Sequence, residues 1–211
     1  MLWIILGITI SYFIGSIPTA YIFGRILKGV DIRRLGSGNV GATNALRVLG
    51  KIPGITVLIL DMLKGLAPVL FIGDFLVARA ALSQETIRVF LGVSCIGGHI
   101  WTIFLRFKGG KGVATTFGVL LGLSLRIPGL IWVLSSVILT WLVVFIALRM
   151  VSLASIISIL AMPLFMLLFK KPAILVLSSM FLAVLIVIRH STNLKRILQG
   201  KESRLRLKKS A

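Results

Sequence analysis

The stretch that decides the fold lies at residues 129–169, which read GLIWVLSSVILTWLVVFIALRMVSLASIISILAMPLFMLLF. Two long apolar runs are separated there only by Arg149 and Met150. A helix needs about 20 apolar residues to cross the hydrocarbon core of a bilayer. The stretch is therefore typical of two antiparallel membrane helices joined by a tight turn.

Similar runs recur along the whole chain of 211 residues, of which 58% are hydrophobic and 14% charged. Seven spans are predicted, and the fourth is short. They are Trp3 to Gly24, Ile52 to Ile72, Ile87 to Leu105, Val113 to Leu125, Gly129 to Leu148, Val151 to Phe169 and Pro172 to Ile188. The first run has no basic region before it and is too long for a signal-peptide core, so a retained helix is expected. No separate stretch is polar enough for a soluble domain. The predicted fold is therefore an all-α integral membrane protein, a seven-transmembrane-helix bundle in which residues 1–211 form a single domain.

Lysine and arginine predict the orientation, because cytoplasmic loops carry their excess. With the N-terminus outside and the C-terminus cytoplasmic, the inside segments are residues 25–51, 106–112, 149–150 and 189–211, which hold most of the 24 basic residues. Outside, or close to it, lie only Arg79, Arg88, Arg126, Lys170 and Lys171. The final stretch, Ser203 to Ala211, is predicted to be a basic tail attracted to lipid.

Composition also excludes several classes of function. The net charge of +19 does not indicate nucleic-acid binding, because the basic residues lie between apolar runs, and anionic lipid or anionic substrates are the expected partners. Cys95 is the only cysteine, so no intrachain disulfide is possible. Neither a metal nor a cofactor is predicted, because His99 and His190 lack ligands at the required spacing and the carboxylates are scattered. Those carboxylates are Asp31, Asp61, Asp74, Glu85 and Glu202.

The first inside loop reads GSGNVGATNALR at residues 36–47. Glycines permit turns in which successive N–H groups converge on an anion, and Arg47 can bind phosphate through two parallel hydrogen bonds. The polar side chains that add to this are Ser37, Asn39, Thr43 and Asn44. A phosphate-binding loop is predicted. The alternative, a flexible connector, would not need polar side chains at this density.

The second inside loop reads RFKGGKGVATT at residues 106–116 and runs directly into an apolar helix. A helix N-terminus beside Gly109, Gly110 and Gly112 is a natural phosphate cradle, to which Lys111 adds charge. The loop is not a Walker A motif, because Gly112 stands where serine or threonine is required and no buried strand precedes it. Nucleotide binding is not expected. The alternative is a topology signal alone.

The third segment reads RHSTNLKRILQGKE at residues 189–202 and is predicted to be a short basic helix at the interface. His190 and Asn193 are three residues apart and share a face. A single histidine at a membrane boundary is usually structural, but here Ser191, Asn193 and several cations surround it in sequence. With the two loops, this segment brings anion-binding and hydrogen-bonding side chains together on the inner face.

Polar residues also occur inside the spans, where ionisable groups are costly. Asp61 and Lys64 are either a neutralised structural pair or part of a polar pathway, and they are not placed in the site. His99 is either a packing partner or a support for the site. Ser152 and Ser155 lie near the inner end of the sixth span, although serines in membrane helices mostly bond to their own backbone.

The three segments together resemble the bacterial acyl-phosphate:glycerol-3-phosphate acyltransferase family (PlsY) in order, spacing and topology. The resemblance rests on residues 36–44 with Arg47, on residues 107–115, and on His190 through Asn193 to residues 200–202. It spans nearly the whole chain. The sequence contains no His-x-x-x-x-Asp motif, so it does not resemble the soluble-type acyltransferases that use acyl-CoA or acyl-carrier protein.

The resemblance implies transfer of a fatty acyl group from acyl phosphate to the 1-hydroxyl of sn-glycerol 3-phosphate, giving lysophosphatidic acid and phosphate. The expected location is the bacterial inner membrane, with the active site on the cytoplasmic face. No cofactor is expected. The expected partners are the two substrates, membrane lipid and an enzyme that produces acyl phosphate.

The resemblance also implies residue roles. The catalytic set is Ser37, which would hold the donor, Arg47 and Lys111, which would neutralise phosphate, and His190, which would orient the acceptor. Substrate contacts are expected from Gly38, Asn39, Thr43, Asn44, Gly109, Gly110, Gly112, Thr115, Ser155 and Asn193. Glu202 is expected to anchor the third segment.

Alternatives remain open at this stage. The glycerol hydroxyl could attack the donor directly, or an acyl-Ser37 intermediate activated by His190 could form first. A transporter for a phosphorylated small molecule could use the same cationic loops, but it should show polar residues along a path across the bilayer, and the outer halves of the spans are nearly empty of them. A purely structural membrane subunit would not explain the glycine-rich loops.

Overall fold

The computed structural model describes residues 1–204, which are helical with no strand among them. These residues form two compact units, one from Met1 to Pro128 and one that begins at Gly129. Of the predicted basic tail, residues 205–211 lie outside the described residues.

Seven α-helices build the first unit. They are α1 (Leu2–Ser16), α2 (Thr19–Lys28), α3 (Ala42–Leu49), α4 (Lys51–Ala67), α5 (Gly73–Val77), α6 (Gln84–Ile100) and α7 (Val113–Ser124). A π-helical turn, Pro68–Ile72, joins α4 to α5. The main packing pairs are α1 with α6 and α4 with α7.

The first predicted span, Trp3 to Gly24, lies within a candidate span, Leu2–Lys28, but consists of two helices rather than one. The chain breaks between α1 and α2 because Pro18 has no N–H and excludes the helical conformation from the residue before it. Ile17 accordingly adopts φ −56° and ψ 113°. The break leaves the Ile17 carbonyl available, and it accepts a hydrogen bond from Lys64 Nζ at 2.9 Å.

Close helix packing in this unit depends on small residues. A Cβ on Gly15 or Gly98 would overlap main-chain atoms of Cys95 or Tyr12 on the facing helix, so α1 and α6 meet backbone to backbone. Gly118 of α7 has the same relation to α4. Such stripes of small residues are the usual way in which membrane helices approach closely.

One end of the first unit is tied by a charged cluster around the π-helical turn. Arg88, which is 3% exposed, donates to Val69 O at 2.5 Å and to Asp74 at 2.6 Å. Arg126 also binds Asp74, with 2.7 Å between Nη2 and Oδ2. Both arginines, which the charge pattern assigns to the outer side, thus also serve as structural partners of Asp74.

The second unit contains α8 (Leu130–Leu148), α9 (Val151–Leu168), α10 (Ala173–Arg189) and α11 (Ser191–Leu198). Helix α9 packs against both α8 and α10, as the short connections predict. Left-handed residues Arg149 (φ 60°) and Lys170 (φ 50°) form the turns that end α8 and α9. The predicted short basic helix is present as α11, which bends by 61° from α10, and its place at the membrane interface stays a prediction.

Each of the seven predicted apolar segments coincides with helix, with shifted ends. Within the described residues, five helical segments are long and apolar enough to cross a membrane, or six if α10 and α11 are one bent span. The remaining segment, α7, is the apolar helix Val113–Ser124 and is shorter. The count of seven and the orientation therefore stay predictions.

Candidate functional site

The first loop starts from an anchored acidic residue that the sequence analysis did not place in the site. Asp31 caps the short 3-10 helix Ile32–Arg34 by accepting from the Arg33 N–H at 3.0 Å, and it pairs with the Arg33 guanidinium at 2.7 Å. Hydrogen bonds from Arg33 outweigh the effect of burial and lower the pKa of Asp31 to about 2. The carboxylate thus stays charged and holds the base of the loop.

Asn44 holds the loop from inside. It is 1% exposed, its Oδ1 accepts from the Ser37 N–H at 2.8 Å, and its Nδ2 donates to the carbonyls of Ile32 and Leu35 at 3.1 Å each. Every bond of this amide goes to the loop backbone. These contacts give Asn44 a scaffolding role, and its predicted contact with substrate stays a prediction.

The other predicted residues of this loop are accessible. Gly36 and Gly38 take left-handed φ values of 60° and 72°, which turn the chain at Ser37. Arg47 lies exposed on α3. The half-buried side chains are those of Ser37, Asn39 and Thr43.

The second loop uses its glycines differently from the prediction. The N–H of Gly109 donates to Ile100 O and the N–H of Gly110 donates to His99 O, both at 3.0 Å. These two N–H groups are thus occupied by the end of α6. The predicted cradle is left with half-buried Lys111 and with the N-terminus of α7, which follows Gly112 at φ 84°.

A buried polar cluster lies directly behind this loop. His99 Nδ1 is 3.1 Å from Thr115 Oγ1 and 3.8 Å from Asp61 Oδ1. Asp61 also accepts from Lys64 Nζ at 2.8 Å and from Thr19 Oγ1 at 2.9 Å. Thr115 is fully buried and its hydroxyl contacts His99, while its predicted contact with substrate stays a prediction.

A small cavity connects this cluster to both loops. It is lined by Val40 of the first loop, by Gly109 and Gly110 of the second, and by Lys64 and His99. The structure therefore brings the first two predicted segments together around one polar cavity. It also adds Lys64 and His99, whose sequence signal was their charge or polarity inside an apolar span.

In the second unit, Glu202 organises the third segment. Its Oε1 accepts from Ser152 Oγ at 2.7 Å and from Asn193 Nδ2 at 2.6 Å, and its Oε2 accepts from Arg196 Nε at 3.0 Å. Burial alone would raise the pKa of Glu202, but these hydrogen bonds and the Arg196 charge hold it below its ordinary value. The geometry agrees with the predicted anchoring role.

His190 ends α10 and is 3% exposed. Its Nδ1 lies 2.8 Å from Ile186 O, which fixes the plane of the ring. Asn193 is also buried, and its amide bonds to Glu202. Ser155 donates to Val151 O and accepts from Trp141 Nε1, which joins α8 to α9, and its predicted phosphate contact stays a prediction.

Comparison with known proteins gives this arrangement a family. A sequence model described as "Glycerol-3-phosphate acyltransferase" matches residues 5–200. The chain belongs to the glycerol-3-phosphate acyltransferase family. That match includes the first two segments and residues 189–200 of the third, so the resemblance to this family stated from the motifs is confirmed.

Relatives in this acyltransferase family match almost end to end. "Glycerol-3-phosphate acyltransferase 2" of Moorella thermoacetica is 45% identical over 204 residues, covering 97% of this chain and 98% of the relative. "Glycerol-3-phosphate acyltransferase" of Geobacter sulfurreducens is 41% identical over 198 residues, covering 93% and 95%. The glycine-rich loops therefore lie within a segment that these acyltransferases share.

Two solved acyltransferase structures share the fold. Both are of PlsY (YgiH), described as an integral membrane glycerol 3-phosphate acyltransferase, and both are 36% identical to this chain. The glycerol 3-phosphate form has a TM-score of 0.85 and covers 96% of each chain. The lysophosphatidic acid form has a TM-score of 0.82 and covers 96% of this chain and 95% of the other. The chain is thus an all-α integral membrane protein, as the apolar runs predict.

Proposed function

We propose that this chain transfers a fatty acyl group from acyl phosphate to the 1-hydroxyl of sn-glycerol 3-phosphate, giving lysophosphatidic acid and inorganic phosphate. The observation that carries the proposal is the almost full-length match to the acyltransferase family, including structures in glycerol 3-phosphate and lysophosphatidic acid forms. This reaction begins phospholipid synthesis. It needs a partner enzyme that produces acyl phosphate.

This reaction requires the protein mainly to position the two substrates and to stabilise negative charge. Acyl phosphate is a mixed anhydride, so its carbonyl is already activated. The glycerol hydroxyl attacks the acyl carbon, the bond from that carbon to the phosphate oxygen breaks, and the hydroxyl proton leaves with the phosphate. Electrostatic stabilisation and correct orientation are the main contributions left to the enzyme, and no covalent intermediate is required.

The residue roles follow from what each side chain can offer. Ser37 sits on a turn that Asn44 holds rigid, so it can fix the donor. Arg47 and Lys111 supply the positive charge that phosphate oxygens need. His190, oriented through Nδ1, and Asn193 serve the acceptor. Further substrate contacts in the proposal come from Gly38, Asn39, Thr43 and Gly112.

The proposal places the protein in the bacterial inner membrane with this chemistry on the cytoplasmic face, and treats residues 1–211 as a single acyltransferase domain. Its support is the distribution of lysine and arginine, which are concentrated in the segments that carry the loops. Acyl phosphate can then enter from the inner leaflet, while glycerol 3-phosphate arrives from water.

The test supplies the purified protein with palmitoyl phosphate and glycerol 3-phosphate and measures lysophosphatidic acid by mass spectrometry together with released phosphate. Equal amounts of both products are expected, with none when palmitoyl-CoA replaces the donor. Arg47→Ala and Lys111→Ala should each lose about 100-fold or more in kcat/KM. Lys108→Ala, an exposed cation of the same loop, is the matched control.

One result would contradict the proposed reaction, and another would contradict only its mechanism. If vesicles containing the protein take up glycerol 3-phosphate without acylating it, the protein is a transporter. If acylated Ser37 is trapped with palmitoyl phosphate alone, the direct-attack mechanism is wrong although the overall reaction stands.

A further inference from the structure

The buried cluster behind the second loop is unusual because three ionisable side chains lie within apolar helices. Asp61 is 1% exposed, His99 6% and Lys64 9%. Burying charged groups in this way is costly, and in membrane proteins they mark function more often than fold. The proposed reaction leaves all three without a role.

His99 contacts the second loop through both its main chain and its ring. Its carbonyl accepts the Gly110 N–H at 3.0 Å. A Cβ added to Gly110 would overlap His99 Nε2, so the ring lies directly against the loop backbone. Only glycine leaves room for this approach.

The same histidine also holds the chain on the far side of Lys111. Its Nδ1 pairs with Thr115 Oγ1 at 3.1 Å on the first turn of α7. Lys111 is therefore bracketed, with Gly110 held by His99 before it and Thr115 held by His99 after it. The Gly110 N–H is held by the His99 carbonyl, while the imidazole packs against Gly110 and bonds Thr115, so main chain and ring of one residue together position the chain around Lys111.

Asp61 and its partners fix that imidazole in turn. The carboxylate lies 3.8 Å from His99 Nδ1 and is itself held by Lys64 and Thr19 at 2.8 Å and 2.9 Å. Lys64 also donates to Ile17 O at the break between α1 and α2. The cluster thus fastens the second loop to four helices of the first unit.

We propose that His99 is a positioning residue of the acyltransferase, which holds the second loop so that Lys111 faces the reacting phosphate. The inference rests on the proposed function, because it assigns His99 an effect on that reaction through Lys111. His99 itself need not touch substrate. Small displacements of a charged group can reduce turnover strongly, by about 100-fold for about 1 Å.

The first measurement compares His99→Ala, Lys111→Ala and the double variant by kcat and KM for both substrates. His99→Ala alone should lose about 10- to 100-fold in kcat/KM. In the Lys111→Ala background the same change should cost no more than about twofold, because the group that it positions is already gone. A merely structural histidine would give losses that multiply.

The second measurement uses the two adjacent glycines as a matched pair. Gly110→Ala should impair the enzyme, and His99→Ala should largely remove that effect, because the clash is with the imidazole. The Cβ of Gly109→Ala would meet the His99 main-chain carbonyl instead. The loss of activity that it causes should therefore be the same whether residue 99 is histidine or alanine. If His99→Ala fails to fold, Thr115→Val replaces it in the cycle with Lys111→Ala, since it removes the hydroxyl that holds the ring.

The possible outcomes separate the inference from the proposed function. A wild-type protein without acyl transfer contradicts the proposed function. If the wild type is active but His99→Ala and Thr115→Val leave the kinetics unchanged, the inference alone is overturned. The same holds if the losses of His99→Ala and Lys111→Ala multiply in the double variant. Coupling between His99 and both Gly110 and Lys111, with none between His99 and Gly109, establishes it.

Discussion

Glu202 is the only acidic residue that follows Glu85 in the sequence. Its carboxylate accepts hydrogen bonds from three side chains, those of Ser152, Asn193 and Arg196. Two of them, Ser152 and Asn193, are buried. An ionised acceptor makes stronger hydrogen bonds than a neutral one. The charge state of this single residue therefore controls the order of the third segment.

We predict that Glu202→Ala lowers thermal stability more than Glu202→Gln, because glutamine still accepts from Ser152 and Asn193 while alanine removes this acceptor from both, at a cost of up to about 1–3 kcal/mol per buried group. The measurement is the unfolding midpoint in detergent as a function of pH. Since the folded-state pKa of Glu202 lies below its ordinary value, its contribution is present above about pH 4.3 and is lost as the pH falls through the folded pKa.

Glu85→Gln is the control for this series, because Glu85 lies in the first turn of α6 and outside the cluster. The difference between wild type and Glu202→Gln should disappear in acid, whereas Glu85→Gln should show no such convergence. A Glu202→Gln protein as stable as wild type at neutral pH would contradict the prediction.

At the scale of elements, the sequence was most informative where hydrophobicity alone decides. The apolar runs located the helices, and the basic stretch 189–202 located α11. The break at Pro18 was missed because both flanking segments are apolar, so the hydropathy pattern does not change there. Sequence spacing likewise indicated that loop glycines serve a phosphate, but it could not show that Gly110 makes room for an imidazole from another helix.

For the candidate site, the sequence likewise predicted which polar residues are present but not which groups they contact. Polar residues in glycine-rich loops were found, yet Asn44, Thr115 and Ser155 turned inward to bond the protein itself. A polar side chain can satisfy either a ligand or a backbone group, and sequence does not distinguish the two. Only the folded neighbourhood of each amide or hydroxyl decides between them.

Helix packing gives a prediction at the same scale, from two adjacent glycines of α6. Gly98→Ala should destabilise the protein by about 1–3 kcal/mol, because the new Cβ would meet the main chain of Tyr12 and force α1 away. Gly97→Ala should be neutral or stabilising by up to about 1 kcal/mol, because no atom lies within 4 Å and alanine favours helix. Thermal unfolding in detergent measures both. Equal effects of the two substitutions would show that α1 and α6 do not pack as described.

For the whole molecule, orientation is the property that neither helix packing nor family membership fixes, and the basic residues predict it. The single cysteine makes the test convenient, since Cys95 is buried and can be replaced by alanine. In that background we expect Lys51→Cys to face the cytoplasm and Ala81→Cys to face outward.

An impermeant maleimide added to intact spheroplasts should label Ala81→Cys and leave Lys51→Cys unmodified until the membrane is opened. Both positions are exposed, so accessibility within the protein does not confound the comparison. The opposite labelling pattern would place the three basic segments outside and remove the proposed access to cytoplasmic glycerol 3-phosphate.

The pairing of Asp61 with Lys64 has a consequence for how the chain enters the membrane during synthesis. The two residues are three apart on α4 and 2.8 Å from each other, so they can neutralise one another within a single helix. Each lone charge at the centre of an inserting helix costs about 2.5–3.5 kcal/mol. Helix α4 can therefore leave the translocon with its charges already matched, before α6 arrives with His99. The cluster is then completed when α6 and α7 bring His99 and Thr115, and the nascent protein avoids presenting isolated ions to lipid.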